Sequence, residues 1–192
     1  ELLLQGEGDF TLPELNRIGD TFAEGRIAAD ISGSLNIVND FDLVIDEIVY
    51  TFKDATTETL AGININAGGS TGDLTIVNSN DDVRQTVAGS VVVSGMTSID
   101  AGTGSIYLNM STSNNIVEFE VINSSEVELG DSVDDLLVGD LNATTQAFLV
   151  SDGLMTLDGD IMAADRLMTV SNGGLRQGFV STLTTSELIV AG

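Results

Sequence analysis

Thr59-Leu60-Ala61-Gly62, Val83-Arg84-Gln85 and Ala101-Gly102 recur in the same order as Thr156-Leu157-Asp158-Gly159, Leu175-Arg176-Gln177 and Ala191-Gly192. The Thr-Leu-x-Gly starts lie 97 residues apart and the apolar-Arg-Gln triplets 92 apart, so the copies differ by a short indel. A β-type segment precedes each triplet, Leu74-Thr75-Ile76-Val77 in one and Leu167-Met168-Thr169-Val170 in the other. A repeat of this kind marks an array of similar units, which shifts the expectation from an enzyme cleft toward a scaffold. The repeats, 59–102 and 156–192, read as a supermodule within one continuous unit spanning 1–192.

Working outward, short runs alternate apolar and polar residues: Ser34-Leu35-Asn36-Ile37-Val38, Leu43-Val44-Ile45-Asp46-Glu47-Ile48-Val49, Ile63-Asn64-Ile65-Asn66, Ser105-Ile106-Tyr107-Leu108-Asn109 and Val117-Glu118-Phe119-Glu120-Val121. Val91-Val92-Val93, Glu126-Val127-Glu128-Leu129 and Leu136-Leu137-Val138 belong to the same set. A period of two with β-branched residues predicts strands. Turn formers separate them, as in Gly68-Gly69-Ser70-Thr71-Gly72, Asn78-Ser79-Asn80-Asp81-Asp82, Gly102-Thr103-Gly104 and Ser171-Asn172-Gly173-Gly174. Two all-β architectures fit, a sandwich and a parallel β-helix. Four- to five-residue strands, frequent Gly and Asn corners, 5% aromatic residues and the duplication favour the β-helix. With turns of ~20 residues, about nine coils would stack at ~4.8 Å into a rod roughly 45 Å long. Thr11-Leu12-Pro13-Glu14 could open a short helix, with Leu12, Leu15, Ile18 and Phe22 on one face. The favoured reading is a strand and bend with Pro13 at a corner, since everything after it is β.

Composition narrows the function. The 192 residues hold 30 Asp plus Glu against 6 Lys plus Arg, a formal net charge of -24, yet 42% are hydrophobic. An acidic disordered tail would lack that apolar content, so these charges cover a core. The charge disfavours nucleic acid and anionic membranes and makes cations the natural small partners. No apolar run approaches the ~18 to 20 residues needed to cross a bilayer as a helix. The opening Glu1-Leu2-Leu3-Leu4-Gln5 has no signal-peptide pattern, so a secretion signal is expected outside this segment. Cys, His and Trp are absent and Lys53 is the one lysine, which removes thiolate chemistry and the commonest general base.

Leu15-Asn16-Arg17-Ile18-Gly19-Asp20-Thr21-Phe22-Ala23-Glu24-Gly25 leads into Gly33-Ser34-Leu35-Asn36-Ile37, followed by Gly72-Asp73-Leu74-Thr75-Ile76, Ala101-Gly102-Thr103-Gly104-Ser105-Ile106-Tyr107-Leu108 and Gly173-Gly174-Leu175-Arg176-Gln177-Gly178. This series resembles the repeats of filamentous-haemagglutinin-type adhesins, exoproteins of Gram-negative bacteria exported by two-partner secretion. Asn114-Asn115-Ile116-Val117-Glu118-Phe119-Glu120-Val121 through Leu136-Leu137-Val138-Gly139 looks like a further repeat, so the resemblance covers most of the chain. It rests on the ordered series, not on any single motif. The resemblance implies a right-handed parallel β-helix forming an extracellular rod for adhesion or biofilm matrix. The family's secretion domain carries Asn-Pro-Asn motifs, which a chain with Pro13 as its one proline lacks, so an internal piece of rod is expected.

Asp131, Asp134, Asp135 and Asp140, and Asp81 with Asp82 beside Asn78 and Asn80, are the candidate oxygen ligands for calcium. Neither group matches a calcium loop, so solvated turns and loosely held cations are expected, with no dedicated metal or cofactor site. Paired carboxylates raise glycosidase or lyase chemistry, but Arg17, Arg26, Lys53, Arg84, Arg166 and Arg176 are too scattered to serve one, and no catalytic set is assigned. Arg84 with Gln85 and Arg176 with Gln177 read as repeated architecture. Asn109, Asn123 and Asn142 head N-glycosylation triplets, expected by chance in a chain this rich in Asn, Ser and Thr. The apolar ends, Leu2-Leu3-Leu4 and Leu188-Ile189-Val190, point to excision from a longer rod or to copies stacked end to end. The expected function is a structural rod segment at the cell surface, with neighbouring coils, further copies or host and matrix glycans as partners. The alternatives are a self-assembling filament, sheath or surface-layer subunit and, behind it, a carbohydrate-active β-helix.

Overall fold

The computed structural model describes residues 1–20, 23–65, 71–132, 134–179 and 181–192. Thr21 and Phe22 of the resembling series, Asn66, and Gly68-Gly69-Ser70 of one predicted turn lie outside the described residues. Among those described, the alternating runs become strands and none is helical. Seventeen strands join in one sheet, parallel apart from a two-residue antiparallel pairing of Gly19–Asp20 with 23–24. The chain is a parallel β-solenoid of about 8 turns.

The ladders show why this sequence coils. On one face Leu12, Ile37, Ile76, Ile99, Val121, Leu141, Ile161 and Leu183 stand in register, one per turn. On another face Leu43, Val83, Ile106, Val127, Ala147, Leu167 and Leu188 do the same, with Gly25 heading the column. Each strand turns alternate side chains inward, so a parallel in-register stack places like upon like. The interior members of both columns are fully buried, each worth about 1.5–3 kcal/mol in apolar transfer for a Leu, Ile or Val. A third set of rungs, Leu2–Gly6, 27–31, Ile63–Ile65 and 91–93, closes the early coils. In later coils the faces run together: Asn115–Asp131 pairs at one end with 92–93 and at the other with Ile106–Leu108, Leu136–Ser151 carries both the first and the second column, and register shifts mark the corners.

There are about eight turns, not nine, because part of the chain leaves the stack. Glu47–Thr51 and Thr57–Ala61 form an antiparallel hairpin between the second and third coils. Ile48 and Leu60 on its inner face pack over Ala28 and Leu3, sealing an outward patch of the first two coils. The predicted strand 43–49 therefore splits at Asp46 into a rung, Leu43–Ile45, and a hairpin arm. Asp46 holds the split: it accepts from Arg26 Nε at 2.9 Å, Glu47 N at 2.8 Å and Thr86 Oγ1. The arm returns at Gly62, whose φ of 77° and close approach to Ser90 O leave no room for a side chain.

Pro13 lies exposed in Phe10–Asn16, a strand that pairs on one side with Leu35–Asn39 and bulges between Leu12 and Asn16. The strand-and-bend reading holds there: an edge position with a bulge is where a strand accommodates the missing N–H of proline. The two apolar-Arg-Gln triplets stand in different columns. Arg84 pairs with Val44 and Tyr107, whereas Arg176 pairs with Thr156. Gln85 is buried and Gln177 is exposed, so a shared local pattern serves two unrelated places in the coil.

Candidate functional site

The chemistry of this chain is concentrated at its corners. Where one strand ends and the next begins, backbone amides of the following coil lose their ladder partner, and aspartate supplies one. Asp9 Oδ1 accepts Ser34 N at 2.8 Å, Asp42 Oδ1 accepts Asp82 N at 3.0 Å, and Asp82 Oδ1 accepts Ser105 N at 2.8 Å. Asp73 Oδ1 accepts Met96 N at 2.9 Å, Asp135 Oδ1 accepts Leu154 N at 2.7 Å, and Asp140 Oδ1 accepts Asp160 N at 2.8 Å. These carboxylates are inter-coil staples. Part of the acidity is thereby explained as architecture, since a carboxylate is a strong amide acceptor that tolerates a wet corner.

Arg84 stands on the outer face over three stacked acids, with Glu24 at 2.6 Å, Asp82 at 2.6 Å and Asp42 at 3.9 Å. The Asp82 hydrogen bond raises its guanidinium above the ordinary value despite partial burial. Asp81 beside it is raised, first by burial and then by Asp42, Asp40 and Asp82. Asn80, with a φ of 67°, accepts Thr103 N at 3.2 Å. Arg166 pairs with Glu187 at 2.7 Å, and Arg17 lies over the Phe41 ring at 5.0 Å. Asn123 donates to Asp100 and accepts from Asn142 at 3.2 Å, and Asn109 donates to Glu128, forming polar ladders along the outside.

The four aspartates weighed as candidate calcium ligands have separate places in the structure. Asp135 and Asp140 cap backbone amides on the next coil, Asp134 is exposed, and Asp131 points into the core. Among the described residues no group of three or more Asp and Glu is arranged to hold a metal ion. Asn78, read as part of an exposed turn, is instead buried, and donates to Asp82 O at 2.9 Å.

Sequence reasoning missed the inward polar ladders. Asn16, Asn39 and Asn78 pair in register, and Asn39 accepts Ile18 N at 2.9 Å while donating to Phe41 O at 2.7 Å. Gln85 and Asn114 join across a buried corner, and Asn114 also donates to Leu108 O and Gly130 O and accepts Val91 N. Farther along, Asp131, Ser151 and Ser171 pair in register at one corner. The signal was present: each ends an alternation that has already turned inward, as in Ile37-x-Asn39, Ile76-x-Asn78, Leu129-x-Asp131 and Leu149-x-Ser151.

A shallow outward groove of about 170 Å³ is lined by Met96, Glu118, Glu120, Leu137, Asp140 and Asp158 with two glycines. The hairpin carries the most exposed aromatic pair, Tyr50 and Phe52, edge to face at 4.9 Å. In the last coil Leu188 and Val190, in line with buried Leu167 and Thr169, are about half exposed at 48% and 51%. No family model, curated protein or solved structure matches the chain.

Proposed function

We propose that this chain is a structural segment of a secreted bacterial surface adhesin or biofilm-matrix rod of the filamentous-haemagglutinin type, working by coil stacking and without catalysis. The observation that carries the reading is the unbroken column from Leu12 to Leu183, in which every turn offers the next the same apolar step. A stack with that property transmits length and stiffness, and its acidic outside keeps neighbouring rods apart and gathers diffuse cations. On this reading the coil is right-handed, the sense that the resemblance implies and that parallel crossovers favour. Host or matrix glycans are the expected surface partners.

Antibodies to the purified chain should label intact cells of the source bacterium and decorate extended surface material in electron micrographs. Labelling confined to the cytoplasm would overturn the proposal. A self-assembling filament or sheath subunit is the second reading, supported by the in-register parallel ladder, whose repeated step one copy can offer to another. Negative-stain images of the purified chain separate the two: long fibres favour self-assembly, and uniform short particles favour a segment of a larger rod. Incubation with acidic and neutral polysaccharides should yield no cleavage products.

A further inference from the structure

The strand Asn115–Asp131 ends with Asp131 turned inward, in register with Ser151 and Ser171 of the next two coils. Asp131 is 2% exposed, its Oδ1 accepts the Ile116 amide at 3.0 Å, and its Oδ2 is buried with no hydrogen-bond partner. The equivalent position higher in the stack is filled by donors. Ser171 Oγ gives its proton to Gly153 O or Gly174 O, at 2.7 and 2.6 Å. Ser151 Oγ faces Asp134 O and Gly153 O at 3.4 and 3.5 Å. A carboxylate has no proton to give, whereas a carboxylic acid has one and resembles the serines in that respect. The charged groups acting on Asp131 are Asp134 and Asp152, both acidic, so the backbone amides of Ile116 and Asp134, and no cation, are what favour its charged form.

We propose that Asp131 is a proton-operated latch at the corner between the fifth and sixth coils, closed as the neutral acid and loosened as the carboxylate. The corner that it controls is small and defined. Ile116 N is bound to its side chain, Asp152 N to its carbonyl, and Ser132 N to Asn114 O beside it. Burial pushes its carboxyl up to about 6 from the ordinary 3.8. An opened corner, hydrated, would ionise near the ordinary value, so the closed corner binds more protons than the open one between the two values. Its stability is complete below pH 4, falls as the pH rises toward 6, and levels off above that.

Amide hydrogen exchange, corrected for intrinsic rates, tests the latch. Between pH 5 and pH 7 the opening equilibrium at Ile116, Ser132 and Asp152 should rise about tenfold, the value that linkage gives for these two ionisation constants. Amides of Leu74–Asn78, far along the stack, should change less, which separates a local latch from general charge repulsion. Asp131→Asn keeps an acceptor for Ile116 and adds a donor, and should abolish the local pH response. Asp131→Ser, which extends the hydroxyl ladder, should do the same. Retention of the full tenfold response in both variants overturns the proposal. Should neither fold, the carboxyl carbon of Asp131 in the unaltered chain decides: titration near pH 6 supports the latch, and titration at the ordinary value overturns it.

Discussion

Between Leu43 and Val83, successive members of one column, the chain spends forty residues, fifteen of them on the hairpin Glu47–Ala61. From Ile106 onward the same column recurs at 127, 147, 167 and 188, every twenty or twenty-one residues. The early strands are short and the later ones reach 17 and 16 residues, bending through bulges where the early coils break. The corners differ accordingly. Early corners are pinned from inside by Asn39 and Asn78, amides that give and accept several bonds each. Later corners hold Ser151 and Ser171, small hydroxyls that leave the backbone to turn beside glycines 153 and 174. A coil of irregular length needs a side chain that fixes its exit, whereas a coil of constant length inherits its exit from the one below.

The contrast can be broken first at the arm. Gly62→Ala forces a side chain into a φ of 77° and against Ser90 O, so it should cost about 3 kcal/mol or more, read as a lowered urea midpoint. Gly174→Ala, at a φ of 100° with open space around it, meets the strain alone and should cost about 1–2 kcal/mol. The corner side chains come next. Asn39→Ala leaves the part-buried Ile18 N and Phe41 O without their partner and should cost about 2–3 kcal/mol, against about 1 kcal/mol or less for Ser151→Ala, whose hydrogen bonds are long. Equal losses in chemical denaturation would erase the proposed difference between the halves.

Two smaller effects refine the comparison. Thr169 lies in the regular half at a position held elsewhere in its column by Leu129 and Leu149, and its buried Oγ1 has no partner. Thr169→Val should therefore raise stability by about 1 kcal/mol, seen as a higher thermal midpoint. In the irregular half Arg84 spans Glu24, Asp42 and Asp82, but with 40% of its side chain exposed the ion pairs are screened. Arg84→Met should cost about 0.5–1 kcal/mol at low salt, and the difference should shrink in 1 M NaCl.

How much of this was legible in the sequence depends on how far apart the interacting parts lie. Leu74–Asn78 and Ile106–Leu108 announce themselves, because an alternating pattern is a property of the strand itself. The hairpin does not. Ile48 and Leu60 look like rung residues, and Thr59-Leu60-Ala61-Gly62, half of the repeat that suggested an array, belongs to the arm and its return. The carboxylate staples were legible only as acidity, since Asp135 and Leu154, or Asp73 and Met96, are joined by coil length and not by any local motif. Asp131 was grouped with Asp134 and Asp135 by proximity in sequence, and the bend after the strand sends them to opposite sides of the wall.

The ladder bonds of a parallel sheet lie across its strands, and here the strands circle the long direction of the stack. Tension applied end to end would meet the coils one after another instead of all at once. Each opened coil of ~20 residues would release about 65–70 Å of chain, while the remaining coils stayed closed. A stack built in this way would yield in steps under load, absorbing work coil by coil, and would shorten again as the coils reclosed.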